Sequence, residues 1–329
     1  MPTRVLALAG ALLVCVPAAR AAQQIPFPAD KNQRLEELGT AFTVKGRIRI
    51  PRRVSIEAMR AITIAGSGDD ATLEISGNVN MRAATGGHIE FRDVWVELTP
   101  ECKEISLANC IFRGRGGIRP SQDGPCETKI SLEKVEADRS ASLTIEASNG
   151  SILMDGCFLD GPLVLRGVAR SETVKSGFTV AVYGSSGKEQ DRVRGLLGGI
   201  TVEGVKDGTI RTCDIAGPQA VFADNRKLFL DGNNLRSKRV EFRTTSAGLF
   251  AGLKVTKSDF RAEKIVLTAP VQPNATERLT FESCYIRGLE DLDTIRLEVL
   301  EDSGNSASGV TAVLRDIRPQ PHGLAGVEK

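Results

Sequence analysis

The sequence predicts an all-β fold in which parallel strands stack into a solenoid. Three observations carry this: a short apolar frame recurs down the chain, its copies are spaced by one coil's length, and no helical pattern separates them. The frame reads apolar, any, apolar, any, any, small, any, apolar. It appears as Ile105-x-Leu107-x-x-Cys110-x-Phe112, Ile152-x-Met154-x-x-Cys157-x-Leu159 and Leu228-x-Leu230-x-x-Asn233-x-Leu235. It returns as Leu253-x-Val255-x-x-Ser258-x-Phe260 and Leu279-x-Phe281-x-x-Cys284-x-Ile286. Looser copies centre on Val94, Val135, Cys213 and Arg315.

Alternating apolar residues line one side of a strand. Two inward positions, a two-residue step and two more inward positions describe a strand, a tight bend and a second strand. A unit this short cannot bury its own face, so units must stack. Between the small central residues the steps are 25, 22, 20, 25 and 26 residues for Cys110 to Val135, Val135 to Cys157, Cys213 to Asn233, Asn233 to Ser258 and Ser258 to Cys284. Val94 to Cys110 spans only 16, and Cys157 to Cys213 spans 56, which fits two turns with a degraded copy at Phe178-x-Val180-x-x-Tyr183.

The residue before the small one is Asp93, Asn109, Gly156 or Gly232 in four copies, and these types tolerate a left-handed backbone. Lys134, Lys257 and Thr212 suit that position less well, which predicts a turn that varies between coils. The small column of Cys110, Cys157, Cys213, Cys284, Asn233 and Ser258 fits a tight inner corner, where stacked Asn forms hydrogen-bonded ladders.

This stack resembles the right-handed parallel β-helix of the pectin-lyase-like superfamily, from roughly Val44 to Ile317. The resemblance implies one right-handed, single-stranded parallel β-helix domain over residues 44–317. It implies little about chemistry, because one solenoid hosts many functions. Polygalacturonase-like members carry three active-site aspartates and a Gly-His-Gly segment; here Gly86-Gly87-His88 stands without a matching aspartate cluster. Pectate-lyase-like members hold Ca²⁺ with carboxylates and use an arginine or lysine base, and their signatures are not readable in this chain. No cofactor is expected, and a Ca²⁺ site would need oxygens converging from stacked coils.

The ends have their own patterns. Residues 1–21 show a basic start, an apolar stretch from Val5 to Val16 and an Ala19-Arg20-Ala21 end, the pattern of a secretory signal peptide. Val14 before Cys15 argues against a lipid anchor, and no apolar stretch is long enough for a membrane span. Residues 22–43 form an N-terminal segment in which Asp30 can cap, and Gly39 end, a short α-helix that would close the solenoid. Residues 318–329, with two prolines and two glycines nearby, read as a flexible tail. The expected location is secreted, periplasmic or cell-envelope, by bacterial-type export.

Lys plus Arg is 43 against 41 Asp plus Glu; residues 1–21 hold Arg4, Arg20 and no acid, so the exported chain is formally neutral. Such a balance gives no general affinity for nucleic acid or membrane surfaces. Cys102 and Cys126 lie outside the frame in adjacent coils, and an oxidising compartment makes them candidates for a disulfide. Loops are predicted at Gly114–Thr128, Gly184–Gly198, Ala269–Glu277 and Glu301–Gly309.

Catalytic patterns are scarce. His88 directly precedes inward Ile89 and so points outward; a histidine-based triad would have to use it, with no Gly-x-Ser-x-Gly turn to serve it. No cysteine–histidine spacing suits zinc, and Gly184-Ser-Ser-Gly-Lys188 has the wrong spacing for a phosphate loop. One Trp and two Tyr leave few rings for sugar stacking.

One surface feature stands out. Three places after the small residue the frame points outward, and there stand Arg236, Arg261, Arg287 and Arg318, with Arg113 in an earlier copy. Asp231, Asp259, Glu282 and Asp316 occupy neighbouring outward positions, so the row reads either as a solvated charge ladder or as a grip for an acidic polysaccharide. The expected function is therefore a non-catalytic exported β-helix with an elongated binding face for acidic polysaccharide. A polysaccharide lyase, hydrolase or epimerase, and a structural or adhesive module that binds protein, are the alternatives.

Overall fold

The computed structural model describes residues 25–27, 33–51, 53–171, 174–184, 195–243, 253–269, 280–282, 284–287, 296–301, 313–315 and 318–319. They form a parallel β-solenoid. Pairing runs parallel from Ile25-Pro26 on Phe42-Thr43 to Tyr285-Ile286 on Arg318-Pro319. Among the described residues the one helix is the single turn Leu35–Leu38.

The inward column of the frame is continuous. Ile56, Met81, Leu107, Leu132, Met154, Val182, Ile210, Leu230, Val255 and Phe281 follow one another rung by rung. Ile56 to Val255 are all buried, and full burial of such a side chain contributes roughly 1.5–3 kcal/mol before entropy is counted. The predicted column of Leu107, Met154, Leu230, Val255 and Phe281 is thus in register, and Val182 and Ile210 supply the two turns between Met154 and Leu230. Like residues stack across rungs: Phe91 lies on Phe112 with ring centroids 4.9 Å apart, and Phe222 on Phe242 at 5.3 Å.

Three readings of the frame shift. Met81, not Phe91, precedes Leu107 in the column, and Phe91 pairs with Phe112, so Val94 is not a centre of this frame. Val182 takes the place expected for Val180. Leu314 pairs with Phe281, where the frame centred on Arg315 expects Ala312.

Each coil also has a third strand. Trp95–Leu98, Gly117–Pro120, Leu163–Gly167 and Ile200–Glu203 belong to it. The predicted loop Gly114–Thr128 therefore contains a strand, Gly117–Pro120, paired with Trp95–Leu98. Its Gly-Gly start reads as a loop in sequence, yet any side chain at Gly117 would meet the carbonyl of Ser142 in the adjoining rung. Arg318-Pro319, assigned to the tail, also pairs as a strand.

In six coils the corner after the first strand turns on one left-handed residue, whereas Ala84–His88 lengthens it after Asn78–Ala83. Asn109, Lys134, Thr212 and Lys257 have φ of 53, 50, 52 and 48°, beside 59° at Gly156 and 62° at Gly232. The variation expected at Lys134, Thr212 and Lys257 is thus overturned. A left-handed non-glycine residue costs roughly 1–2 kcal/mol, and the ladder holds it in place. The N–H groups of Asn109, Lys134 and Thr212 donate to the carbonyls of Glu133, Asp155 and Asp231 at 3.0, 2.8 and 3.0 Å. Asp93 and Asp224, at φ 54 and 51°, sit at other corners of the coil.

The small residue after this corner has a defined task. Its side chain donates to the carbonyl of the inward residue one rung back. Cys110 Sγ reaches Met81, Cys157 reaches Leu132, Cys213 reaches Val182 and Cys284 reaches Val255, at 3.8, 3.4, 3.8 and 3.7 Å. Asn233 Nδ2 does the same to Ile210 at 2.8 Å, and its Oδ1 accepts the N–H of Cys213 at 3.0 Å. Asn225 repeats the pair at another corner, with Val202 and Val205 at 2.9 and 3.1 Å. A thiol and an amide are interchangeable here because each is small and carries a donor, whereas Ser258 Oγ donates to the Thr256 carbonyl at 2.9 Å and accepts from the Asn233 N–H at 3.2 Å. Burial pushes the thiols of Cys110, Cys157 and Cys213 up to about 12, so they stay protonated as donors.

At the N-terminus, the helix predicted to follow Asp30 is limited to Leu35–Leu38. The signal peptide predicted for residues 1–21 lies outside the described residues.

Candidate functional site

The arginine row sits where the second strand of a coil bends into the third. In the later coils one long strand makes both faces: Asp214–Ala223, Asn234–Arg243 and Asp259–Ala269. The bend needs a small residue, and Gly217, Ser237 and Ala262 stack there. A Cβ on Gly217 would lie 2.5 Å from the backbone nitrogen of Gly199. Ser237 and Ala262 are fully buried, so their neighbours turn outward.

Arg236, Arg261 and Arg287 are in register on successive rungs. Arg318 is not in that column: it pairs with Tyr285, two positions earlier on the strand. Arg113 pairs with Arg92 in the earlier coils. A second cationic column, missed in the sequence, runs along the other side of the bend as Arg239, Lys264 and Arg296. Its signal was the run Arg236-Ser237-Lys238-Arg239, but only the register stacks Arg239 on Lys264.

The charges on this bend are partly compensated. Arg261 is 3.5 Å from Asp259, and Arg239 is 2.9 Å from Glu241. Asp231, a predicted neighbour, serves the first strand instead: it holds Arg211 at 3.0 Å and accepts from Thr256 at 2.7 Å. Arg236 and Lys238 are exposed and make no ion pair among the described residues. Across Asn234–Arg243, the cations Arg236, Lys238, Arg239 and Arg243 face the single acid Glu241.

The contrast lies at the N-terminal end of the third face, where every charge is matched. Arg47 binds Glu74 at 3.1 Å and Glu97 at 2.7 Å, Arg49 binds Glu74 at 3.2 Å, and Arg119 binds Glu97 at 3.1 Å. The hydrogen bond that Arg47 donates to Glu74, then that to Glu97, raises the Arg47 pKa above its ordinary value. Arg119 also lies over the Trp95 ring, 5.0 Å from its centroid. That patch is a closed ladder and has nothing spare for a ligand.

Cys102 and Cys126 are both buried, free thiols. Cys102 Sγ lies 3.6 Å from Thr128 Oγ1, and Cys126 Sγ donates to the Glu146 carbonyl at 3.4 Å. Burial first, and then the nearby Cys102, push the Cys126 thiol up to about 12. Among the described residues no cluster of three or more His, Cys, Asp or Glu could hold a metal ion, and no helix is long and apolar enough to cross a membrane.

No family model, no curated protein and no solved structure matches this chain.

Proposed function

We propose that this chain is an exported, non-catalytic binding solenoid whose cationic bend holds an acidic polysaccharide. What supports this is the repetition of the charge: Arg236, Arg261 and Arg287 in one column, Arg239, Lys264 and Arg296 in the next. In-register rungs lie about 4.8 Å apart, where like charges repel by on the order of 1 kcal/mol even in bulk water. A polyanion laid along the axis relieves that repulsion at every rung, and its repeating carboxylates meet a repeating row of guanidinium groups. Export rests on the leader pattern of residues 1–21, and the right-handed, pectin-lyase-like assignment rests on the repeat frame.

Retention on a polyuronate column tests the reading. The wild type should be retained at low salt and released as salt rises, because exposed pairs are screened over about 8–10 Å at physiological ionic strength. An Arg236→Ala, Arg261→Ala variant should lose retention while keeping its thermal midpoint, since exposed pairs add only about 0–1 kcal/mol to stability. Equal retention of variant and wild type overturns the proposal.

A further inference from the structure

The corner insertion and the second face of the earlier coils build a separate cleft of about 720 Å³, within the range of small-molecule sites. In that coil the strand Asn78–Ala83 meets Ile89–Arg92 through Ala84–His88, where the next coil turns on Asn109 alone. The insertion therefore stands out as a rim. It is held firmly: Asn109 Nδ2 donates to the Ala83 carbonyl at 2.8 Å, Gly87 N–H to Ala84 at 2.9 Å, and the His88 carbonyl accepts from Ile62 at 3.0 Å. Gly86, at φ 87°, makes the reversal. His88 is thereby fixed in the lining of the cleft.

The floor is one outward column, with Ile111, Glu136 and Phe158 on successive rungs. Ile111 and Phe158 are half-buried, and they give the cleft an apolar surface. Arg113 and Lys134 stand beside it, both exposed, and neither forms an ion pair among the described residues. Two cations thus face the one carboxylate of Glu136. Asp138, next to Arg113 in its column, is occupied: its carboxylate accepts from the N–H groups of Gly114, Ser140 and Ala141 at 3.0, 2.9 and 3.1 Å.

We propose that this cleft binds a small organic carboxylate carried on a ring, with the ring on Ile111 and Phe158 and the carboxylate between Arg113 and Lys134, His88 closing the rim. The apolar floor selects the ring, and the unpaired cations select the charge. This site is distinct from the cationic bend and does not depend on it.

Calorimetric titration with benzoate, cyclohexanecarboxylate and neutral benzyl alcohol tests it. Both carboxylates should bind and benzyl alcohol should not. An Arg113→Gln, Lys134→Asn variant should bind benzoate at least about tenfold more weakly, as loss of one charge-assisted contact implies; asparagine keeps the left-handed corner at position 134. The Arg236→Ala, Arg261→Ala variant should bind benzoate as wild type does. On the wild type alone, benzoate should slow diethylpyrocarbonate modification of His88, read by peptide mass. Absence of benzoate binding, equal binding by the cleft variant, benzyl alcohol binding as tightly as benzoate, or an unprotected His88 each overturns the proposal.

Discussion

Replacing Asn233 with alanine removes two buried hydrogen bonds at one corner of the stack. Asn233 is 2% exposed. Its Nδ2 satisfies the Ile210 carbonyl and its Oδ1 satisfies the Cys213 N–H. In the alanine variant both backbone groups are left buried without partners. Each orphan costs roughly 1–3 kcal/mol, so the variant should lose about 2–6 kcal/mol. Cysteine at the same position is the informative comparison, because the column already uses Cys110, Cys157, Cys213 and Cys284 to donate to the equivalent carbonyls of Met81, Leu132, Val182 and Val255. Asn233→Cys restores the donor to Ile210 and leaves only the Cys213 N–H unmatched, so it should cost about 1–3 kcal/mol. Urea unfolding followed by circular dichroism measures both. A loss below about 1 kcal/mol for the alanine variant, or a cysteine variant as damaged as alanine, would refute the donor account of this column.

Other outcomes follow from the same structure. Leu230→Ala empties a fully buried site and should cost about 2–5 kcal/mol, and Phe281→Ala, next but one in the same column, about 3–5 kcal/mol; urea midpoints check both. Lys257, at φ 48°, should accept glycine without loss, whereas Lys257→Val should cost more than about 1 kcal/mol, because a β-branched residue is an outlier in that region. The thiols of Cys110, Cys157 and Cys213 rise from 9.0 to about 12 on burial. Their contribution is therefore complete below pH 9 and is lost between pH 9 and 12, as the unfolded thiols ionise and the folded ones do not. Each should cost about 1.4 kcal/mol per pH unit in that window, and a urea midpoint unchanged across it would contradict the burial. Cys102 and Cys126 are proposed to bridge when the chain is exported; two free thiols by alkylation and mass on the exported protein would end that proposal.

The strand period, the coil length and the inward column were legible from the order of residues alone. Leu107, Met154, Leu230, Val255 and Phe281 are local signals, since alternation places each on one side of its own strand, and regular spacing then leaves one way to stack them. The corner glycines and asparagine were legible for the same local reason. Lys134, Thr212 and Lys257 were not, because their own preference is against a left-handed turn; at Lys134 and Thr212 hydrogen bonds to the next rung hold it. The third strand was also hidden: Gly117–Pro120 looks like a loop until the carbonyl of Ser142 is seen beside it. The site divides in the same way. The column Arg236, Arg261, Arg287 could be counted off the frame, but the removal of Arg318 from it, the second column through Arg239 and Lys264, and the rim that carries His88 depend on register. Register is a property of pairs of rungs. It is set by how far each loop lets the chain advance before the next inward residue drops into place, and only the folded stack decides that distance.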